Sequence, residues 1–435
     1  AMEVRSFNAR DVAKRAGVEL PLMANADALS KVAIKTKLEL QGQQLQADDF
    51  VLQLDSSTLT GWLHVVDINK QQLRYDLAFD HLNINDYLPP VEQDGDAEQA
   101  AAASVGDTAA NKAGGDEKIE LPVKMLRQLD IQGDFRIASL VAKDFDIKQF
   151  SMALKAQNGV IAVKHVTLDM MEGRLESALD INVQKKLPAY AISLDADQIQ
   201  AGPVANPYLA SAMGEKPLKM NGAIDLKMGI KTSGETVNQL KKASKGQIVL
   251  EMKQTEVDGF DPEYYMRKSV ADYVQAKGFS LSDSISGSYK PREVTVFDRI
   301  YSTVKLADGK ASTDDFLMDS KRVQVRADGY ADIMHDRLDV MSSVRLPRGK
   351  TAAEKIFDEP VYVRVHGPYT ALEYDIDEDR LKKSTTDVLK NQAKAKLDEE
   401  KQRLKEKADE EVKRAEEKAK EKLEDTLKDK LKGLF

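Results

Sequence analysis

Residues 59–79 read LTGWLHVVDINKQQLRYDLAF. Apolar side chains alternate up to Val66, a polar turn follows, and alternation resumes through Leu73, Tyr75, Leu77 and Phe79. Residues at i and i+2 of an extended chain share a face, so this stretch is an antiparallel hairpin. The pattern recurs at 175–194, LESALDINVQKKLPAYAISL, and at 329–346, GYADIMHDRLDVMSSVRL. Hairpins repeated along a chain stack into a body whose core grows in one dimension. Such a body is a long surface or groove rather than a compact pocket for chemistry.

Composition narrows the function. The chain has 435 residues, is 42% hydrophobic and carries a net charge of −8. An acidic balance disfavours nucleic acid, which needs a clustered basic surface. The absence of cysteine removes disulfides, thiolate nucleophiles and Cys-ligated zinc. No apolar run reaches the roughly 18–20 residues that span a bilayer, and no signal peptide is present. Ala1-Met2, followed at once by the strand-like Glu3-Val4-Arg5, reads as a start inside a longer protein. An anchor or export signal is therefore expected upstream.

Four segments are expected. Residues 1–91 form an N-terminal β segment with a short helix at 8–16, started by Asn8 as N-cap and stopped by Gly17. Residues 92–118 are Ala, Gly, Asp and Glu with almost no bulky apolar side chain, and read as a disordered linker. Residues 119–377 form the main β segment, with strands resuming near Leu126. Helices interrupt it at 235–245, ending at Gly246, and at 262–277, where Asp261, Pro262 and Gly278 are start and stop signals. A short helix is expected near 350–357. Residues 378–435 form one long charged helix, with a thin stripe through Leu397, Leu404, Ala408, Val412, Ala415 and beyond at a spacing near that of an eleven-residue repeat.

Motifs for chemistry are missing. His64, His81, His165, His335 and His366 are scattered, and none belongs to a helix-spaced metal pair. GxSxG, P-loop and GxGxxG sequences are absent. Asp375, Asp377 and Asp379 resemble the start of a calcium loop, but Arg380 stands where glycine is needed and Thr386 where the bidentate glutamate is needed. No enzyme activity, metal or cofactor is expected.

The apolar strand faces remain. They comprise Leu73, Tyr75, Leu77 and Phe79; Met152 and Leu154; Leu179 and Ile181; and Ile192 and Leu194. They continue through Leu226, Met228 and Ile230; Leu250 and Met252; Val323 and Val325; Leu338 and Val340; and Val361, Val363 and Val365. Each strand has one apolar and one wet face. A second sheet, a covering helix, or curling around something apolar would each cover the apolar face. The pattern alone leaves a sealed sandwich core and a trough for acyl chains both open.

Several stretches together resemble the C-terminal part of the AsmA family. They are FNARDVAKRAGVELPLMANADALSKVAIKTKLEL at 7–40, the hairpin closing in Tyr-Leu-Pro-Pro at 87–90, and the segment 126–183 with its Asn158-Gly159 turn and Met171-x-Gly173. KASKGQIVLEMKQTEVDGFDPEYYM at 242–266 and the Lys- and Glu-rich tail add to it. The resemblance implies a periplasmic protein, anchored in the inner membrane by a helix outside this chain. It implies a long twisted antiparallel sheet curled into an open hydrophobic groove, the β-taco, along which phospholipid acyl chains pass toward the outer membrane. The mainly β fold expected here has a few short helices, a long C-terminal α-helix, and the alternating residues above as groove lining. An outer-membrane partner is expected at the C-terminal helix. The competing expectation is a scaffold for outer-membrane protein assembly with a closed β core and a partner-binding helix.

Overall fold

A computed structural model describes residues 1–70, 72–90, 116–209, 218–276, 278, 289–346, 354–357 and 359–432. The strands are β1 (Met2–Phe7), β2 (Val32–Gln41), β3 (Gln44–Leu54), β4 (Ser57–Asp67), β5 (Gln72–Asn83), β6 (Asp130–Ala142), β7 (Phe145–Gln157), β8 (Val160–Met170), β9 (Gly173–Asn182) and β10 (Ala189–Gln200). They continue as β11 (Lys219–Asn221), β12 (Ala223–Ser233), β13 (Lys245–Asp258), β14 (Val294–Ala307), β15 (Lys310–Asp319), β16 (Gln324–Asp332), β17 (Arg337–Arg345), β18 (Val361–Pro368) and β19 (Glu373–Ile376). All belong to one sheet, 19-stranded among the described residues. Almost every strand pairs antiparallel with its neighbours in sequence.

Contacts divide the chain into two units. The first, residues 1–261, 291–343 and 364–375, holds most of the sheet. Its sheet is open and uncurled, where the family resemblance implied a curled trough. Period-2 patterning sets which way side chains point but carries no signal for curvature along the sheet.

One junction breaks the antiparallel rule. β5 and β6 pair in parallel, with Gln72 beside Asp130 and Asn83 beside Val141. Parallel neighbours need a crossover of a dozen or more residues, because the chain must return to the opposite strand end. The expected linker 92–118 belongs to this return. Most of it lies outside the described residues, but its last part is firmly placed. Asp116 accepts hydrogen bonds from the Thr236 hydroxyl at 2.6 Å and the Asn238 N–H at 3.0 Å, and Lys118 bridges to Thr236.

The helices follow local signals. Asn8 caps α1 (Ala9–Arg15) by accepting from the N–H groups of Arg10 and Asp11. The helix α2 (Val123–Gln128) precedes β6, where the sequence suggested a strand. The helix α3 (Gly202–Leu209) carries Pro207 inside it and was not expected. Thr236 caps α4 (Val237–Ala243), but Gly246 does not end it: Gly246 lies in β13, and a Cβ there would stand 2.0 Å from the Gly229 carbonyl oxygen. That glycine serves close strand approach rather than helix termination.

The second unit, residues 262–290, 344–363 and 376–435, has a small sealed core. It contains α5 (Pro262–Ala276), ended by Gly278 at φ +82, a 3-10 turn at Glu354–Phe357, and α6 (Glu378–Lys432). Val270 and Val274 are 0% exposed, Ile356 1% and Phe357 2%. Glu263 is buried beside Arg267 at 3.1 Å and accepts from the Tyr289 hydroxyl at 3.2 Å. The Arg267 guanidinium also lies 5.2 Å from the Phe357 ring centre, within cation–π range. At 55 residues, α6 is roughly 80 Å long.

Candidate functional site

Directly paired residues on neighbouring strands point to the same side of a sheet. Tyr75, Gly133, Leu154, Val163, Leu179, Ile192 and Ile230 are successive partners from β5 to β12. A second row runs Leu175, Ala196, Leu226, Leu250 and Ser302 from β9 to β14. A third runs Ile224, Met252, Ile300, Met318 and Val325, reaching β16. Leu73, Leu77, Phe79, Met152, Ile181, Leu194 and Met228, also expected to line it, fall on this same face.

Four expected lining residues stand elsewhere. Val323 sits in the turn before β16, 2% exposed, its carbonyl accepting from Ser320. Val361 and Val363 belong to the second unit, where Val361 is buried. Val365 is on β18, half-buried in the first unit. Leu338 and Val340 on β17 alternate with Asp339, whose carboxylate holds Arg364 at 2.9 Å; they therefore face away from that ion pair.

The face extends beyond the expected residues. Leu45, Ala47, Phe50, Leu52, Leu59, Leu63 and Val65 carry it across β3 and β4, and Ile34, Leu38 and Leu40 across β2. Phe79, Phe135 and Phe150 form an edge-to-face series on it, with ring centres 6.2 and 6.4 Å apart. Bulges hid several of these positions. At Asp49, His165 and Gln198, each at φ near +50, one extra residue enters the strand and the parity of the apolar positions changes. The sequence signal is a three-residue gap between apolar positions, as from Val163 to Val166.

Most of this face is neither sealed nor bare. Leu73, Leu77, Met152, Leu154, Leu179, Leu226 and Met228 are all half-buried, and Ile192 is 38% exposed. It closes in places: Leu59 is 8%, Ile137 4%, Met252 3% and Ile300 6% exposed.

The opposite face is laced by cross-strand ion pairs. Arg136 meets Asp76, Lys164 meets Asp180 at 2.6 Å, Lys227 meets Asp195 at 3.3 Å, and Arg299 meets Glu251 at 2.8 Å. A shallow hollow of about 560 Å³ is lined mainly from this face, by Lys164, Ala178, Ser193, Asp195, Lys227 and Gly229 among others, with Leu194 and Met228 also reaching it. Small and charged residues suit water there.

Among the described residues no cluster of His, Cys, Asp or Glu has the makings of a metal site, and no helix is long and apolar enough to cross a membrane. His366 lies 2.7 Å from Asp375, so the first acidic residue of the suspected calcium loop is engaged in a strand-end pair.

Protein AsmA of Escherichia coli strain K12 is 18% identical to this chain over 366 residues, covering 82% of the chain and 56% of that protein. The chain thus spans a little over half the length of that relative. No solved structure matches it. Residues 5–316, which include the whole stretch from β2 to β14, match the AsmA family. With that match covering most of its length, the chain belongs to the AsmA family.

Proposed function

We propose that this chain carries phospholipid between the two membranes of a cell envelope, with acyl chains laid on the apolar face and head groups left in water at the strand ends. The observation that supports this reading is an apolar face continuous from β2 to β16, most of whose large side chains from β5 to β12 stay half-exposed. Each methylene taken from water contributes about 0.8 kcal/mol. A face of this kind offers that gain at every strand, so a chain moves from one strand to the next with little net change. Carriage of this sort breaks no bond, so the reading assigns no catalytic residue and no cofactor.

Family membership supports a role in envelope lipid transport or assembly. A periplasmic setting, with the anchor in a part of the protein outside this chain, belongs to the same proposal. So does a role for α6 in meeting an outer-membrane partner. Its stripe residues Leu397, Leu404 and Val412 are 53%, 63% and 57% exposed. Flanked by Lys and Glu, that stripe is too narrow to hold a helix in a bilayer surface. It suits lying along an apolar surface.

The test is photocrosslinking in the presence of phospholipid vesicles. Crosslinkers at Leu77, Leu179 and Met228 are expected to capture lipid, and those at Asp76, Asp180 and Lys227 on the other face are not. Equal labelling of the two sets would overturn the proposal.

A further inference from the structure

The two ends of the strands that carry the apolar face differ in charge. From β7 to β13, one set of strand ends comprises α2, the turn 183–188 and the segment 231–245. It presents Arg127, Lys185, Lys186, Lys231, Lys242 and Lys245 as exposed side chains. The opposite ends of the same strands present Asp144, Asp146, Glu172, Asp197, Glu256 and Asp258. Among the described residues Lys143, Lys148, Arg174 and Lys219 are the basic side chains on that second side, and Arg174 is engaged with Asp169 and Glu176.

On the basic side the lysines are not neutralised by the protein. Lys185, Lys186, Lys231, Lys242 and Lys245 form no ion pair among the described residues, while neighbouring Lys241 meets Asp336 at 3.7 Å. Lys231 and Lys245 are direct cross-strand partners on the wet face, in the row of Asp180, so the cations at the rim of the apolar face are Arg127, Lys185, Lys186 and Lys242. Of the described acidic side chains at this end, Asp116 is used in capping α4, Asp130 holds Arg74 and Asp180 on the wet face holds Lys164, leaving Glu117, Glu120 and Glu235. Exposed Leu187 and Met125 stand among the cations, an arrangement suited to the boundary between acyl chain and head group. Tyr190 lies on the apolar face at this same end, opposite Thr232, and its sheltered hydroxyl has no hydrogen-bond partner.

Resting on the lipid-carrying reading above, we propose that the apolar face selects lipids with anionic head groups and holds them in one orientation. Their head groups sit at the strand ends formed by Arg127, Lys185, Lys186 and Lys242. Their acyl chains run along the strands toward the acidic ends. On β9 the apolar-face positions Ile181, Leu179, Ser177 and Leu175 cover a run of roughly 20 Å along the strand, room for an extended acyl chain. The acidic ends repel a head group arriving the other way round, so charge alone orients the lipid. Coulomb attraction between exposed charges is screened over about 10 Å at 0.1 M salt, so the selection weakens as salt rises.

The experiment uses the full chain with a photocrosslinker at Leu179. It is incubated with vesicles of equal parts phosphatidylglycerol and phosphatidylcholine bearing the same acyl chains, and captured lipid is identified by mass spectrometry. The expected result is an excess of phosphatidylglycerol of about tenfold at low salt, the scale of one or two lysines favouring an anionic lipid. The combined variant Lys185→Glu, Lys186→Glu, Lys242→Glu is expected to bring the two lipids to near parity without lowering capture of phosphatidylcholine. Asp144→Lys with Glu172→Lys, at the other strand ends, is expected to leave the excess in place. Equal capture by the unaltered protein, or an excess that survives the triple variant, overturns the inference while leaving lipid carriage standing. Sedimentation with anionic vesicles without capture at Leu179 also overturns it, and marks the lysines as a membrane-contact surface. Failure to capture either lipid overturns lipid carriage itself, and this inference with it.

Discussion

Two apolar regions of this protein are built from the same kinds of residue and finish in different states. In the second unit, Val270, Val274, Ile356 and Phe357 are sealed from water. On the sheet of the first unit, Leu154, Leu179, Leu226 and Met228 stay half-exposed, and Ile192 more so. Sealing is the ordinary outcome of the hydrophobic effect. An apolar face of this length left partly wet costs free energy that folding alone would recover by covering it. What separates a core from a site here is the water left on it, and hydropathy is the same in both.

The widest test of that contrast places a charge in each region. Val274→Asp puts a carboxylate where water cannot reach, and is expected to cost about 3–5 kcal/mol. Leu179→Asp puts one where the side chain can turn to water, and is expected to cost about 1 kcal/mol. Urea unfolding followed by circular dichroism reads both; equal costs would mean the sheet face is as dry as the core.

A somewhat smaller effect is expected at Gly61, which keeps the apolar face continuous between β4 and β5. Its φ is +144, and a Cβ would stand 1.8 Å from the Asp76 carbonyl oxygen. Gly61→Ala forces the backbones apart at the pair with Leu77, and is expected to lower stability by about 2–3 kcal/mol. Unchanged hydrogen exchange of the β4–β5 amides in the variant would show that the close approach is dispensable.

Next comes the strap at one end of the face. Asp55 accepts from the N–H groups of Leu29 and Lys31, at 2.8 and 3.1 Å, and from the Tyr87 hydroxyl at 3.0 Å. Burial works to raise its pKa, but these bonds together outweigh burial and hold it below the ordinary value of 3.8. Burial and the nearby carboxylate push the Tyr87 phenol well up. A depressed carboxyl pKa contributes stability that is complete above the ordinary value and is lost as pH falls through the folded one. Asp55→Ala is expected to cost about 1–2 kcal/mol at neutral pH. The variant's stability is also expected to fall less steeply than the parent's below pH 4, by parallel urea titrations. Identical acid slopes would exclude Asp55 as a contributor.

The smallest effect is expected on the wet face. Lys227 and Asp195 are 73% and 50% exposed in their side chains, so Lys227→Ala is expected to change stability by less than about 0.5 kcal/mol. A loss above about 1 kcal/mol, also seen at Lys164→Ala, would show that the ion-pair rows hold the sheet together.

Much of the fold could be read from the order of residues. Alternation is a local property, and at Leu73–Phe79, Met152–Leu154 and Leu226–Ile230 it set the face correctly. It failed where geometry is not local. Asp49, His165 and Gln198 shift the parity within a strand, so Phe50, Val166 and Ile199 look out of phase. The parallel pairing of β5 with β6 left no mark in either strand. α2, at six residues, is too short to show a helical period. The state of the site was the least legible part. Whether Leu179 or Val361 ends wet or dry depends on what stacks over it, and both lie in equally regular strands.

The parallel step between β5 and β6 also orders assembly in time. Most other strands meet a neighbour across a short turn, so contact formation costs little loop entropy. Gln72 and Asp130 are 58 positions apart in the chain. β1–β5 can therefore build as one stack while β6 is still being synthesised, and the stack from β6 onward can grow from its own hairpins. Each stack meanwhile offers a bare edge, β5 on one and β6 on the other, and the last event joins them. Aggregation during synthesis, if it occurs, would begin at those two edges.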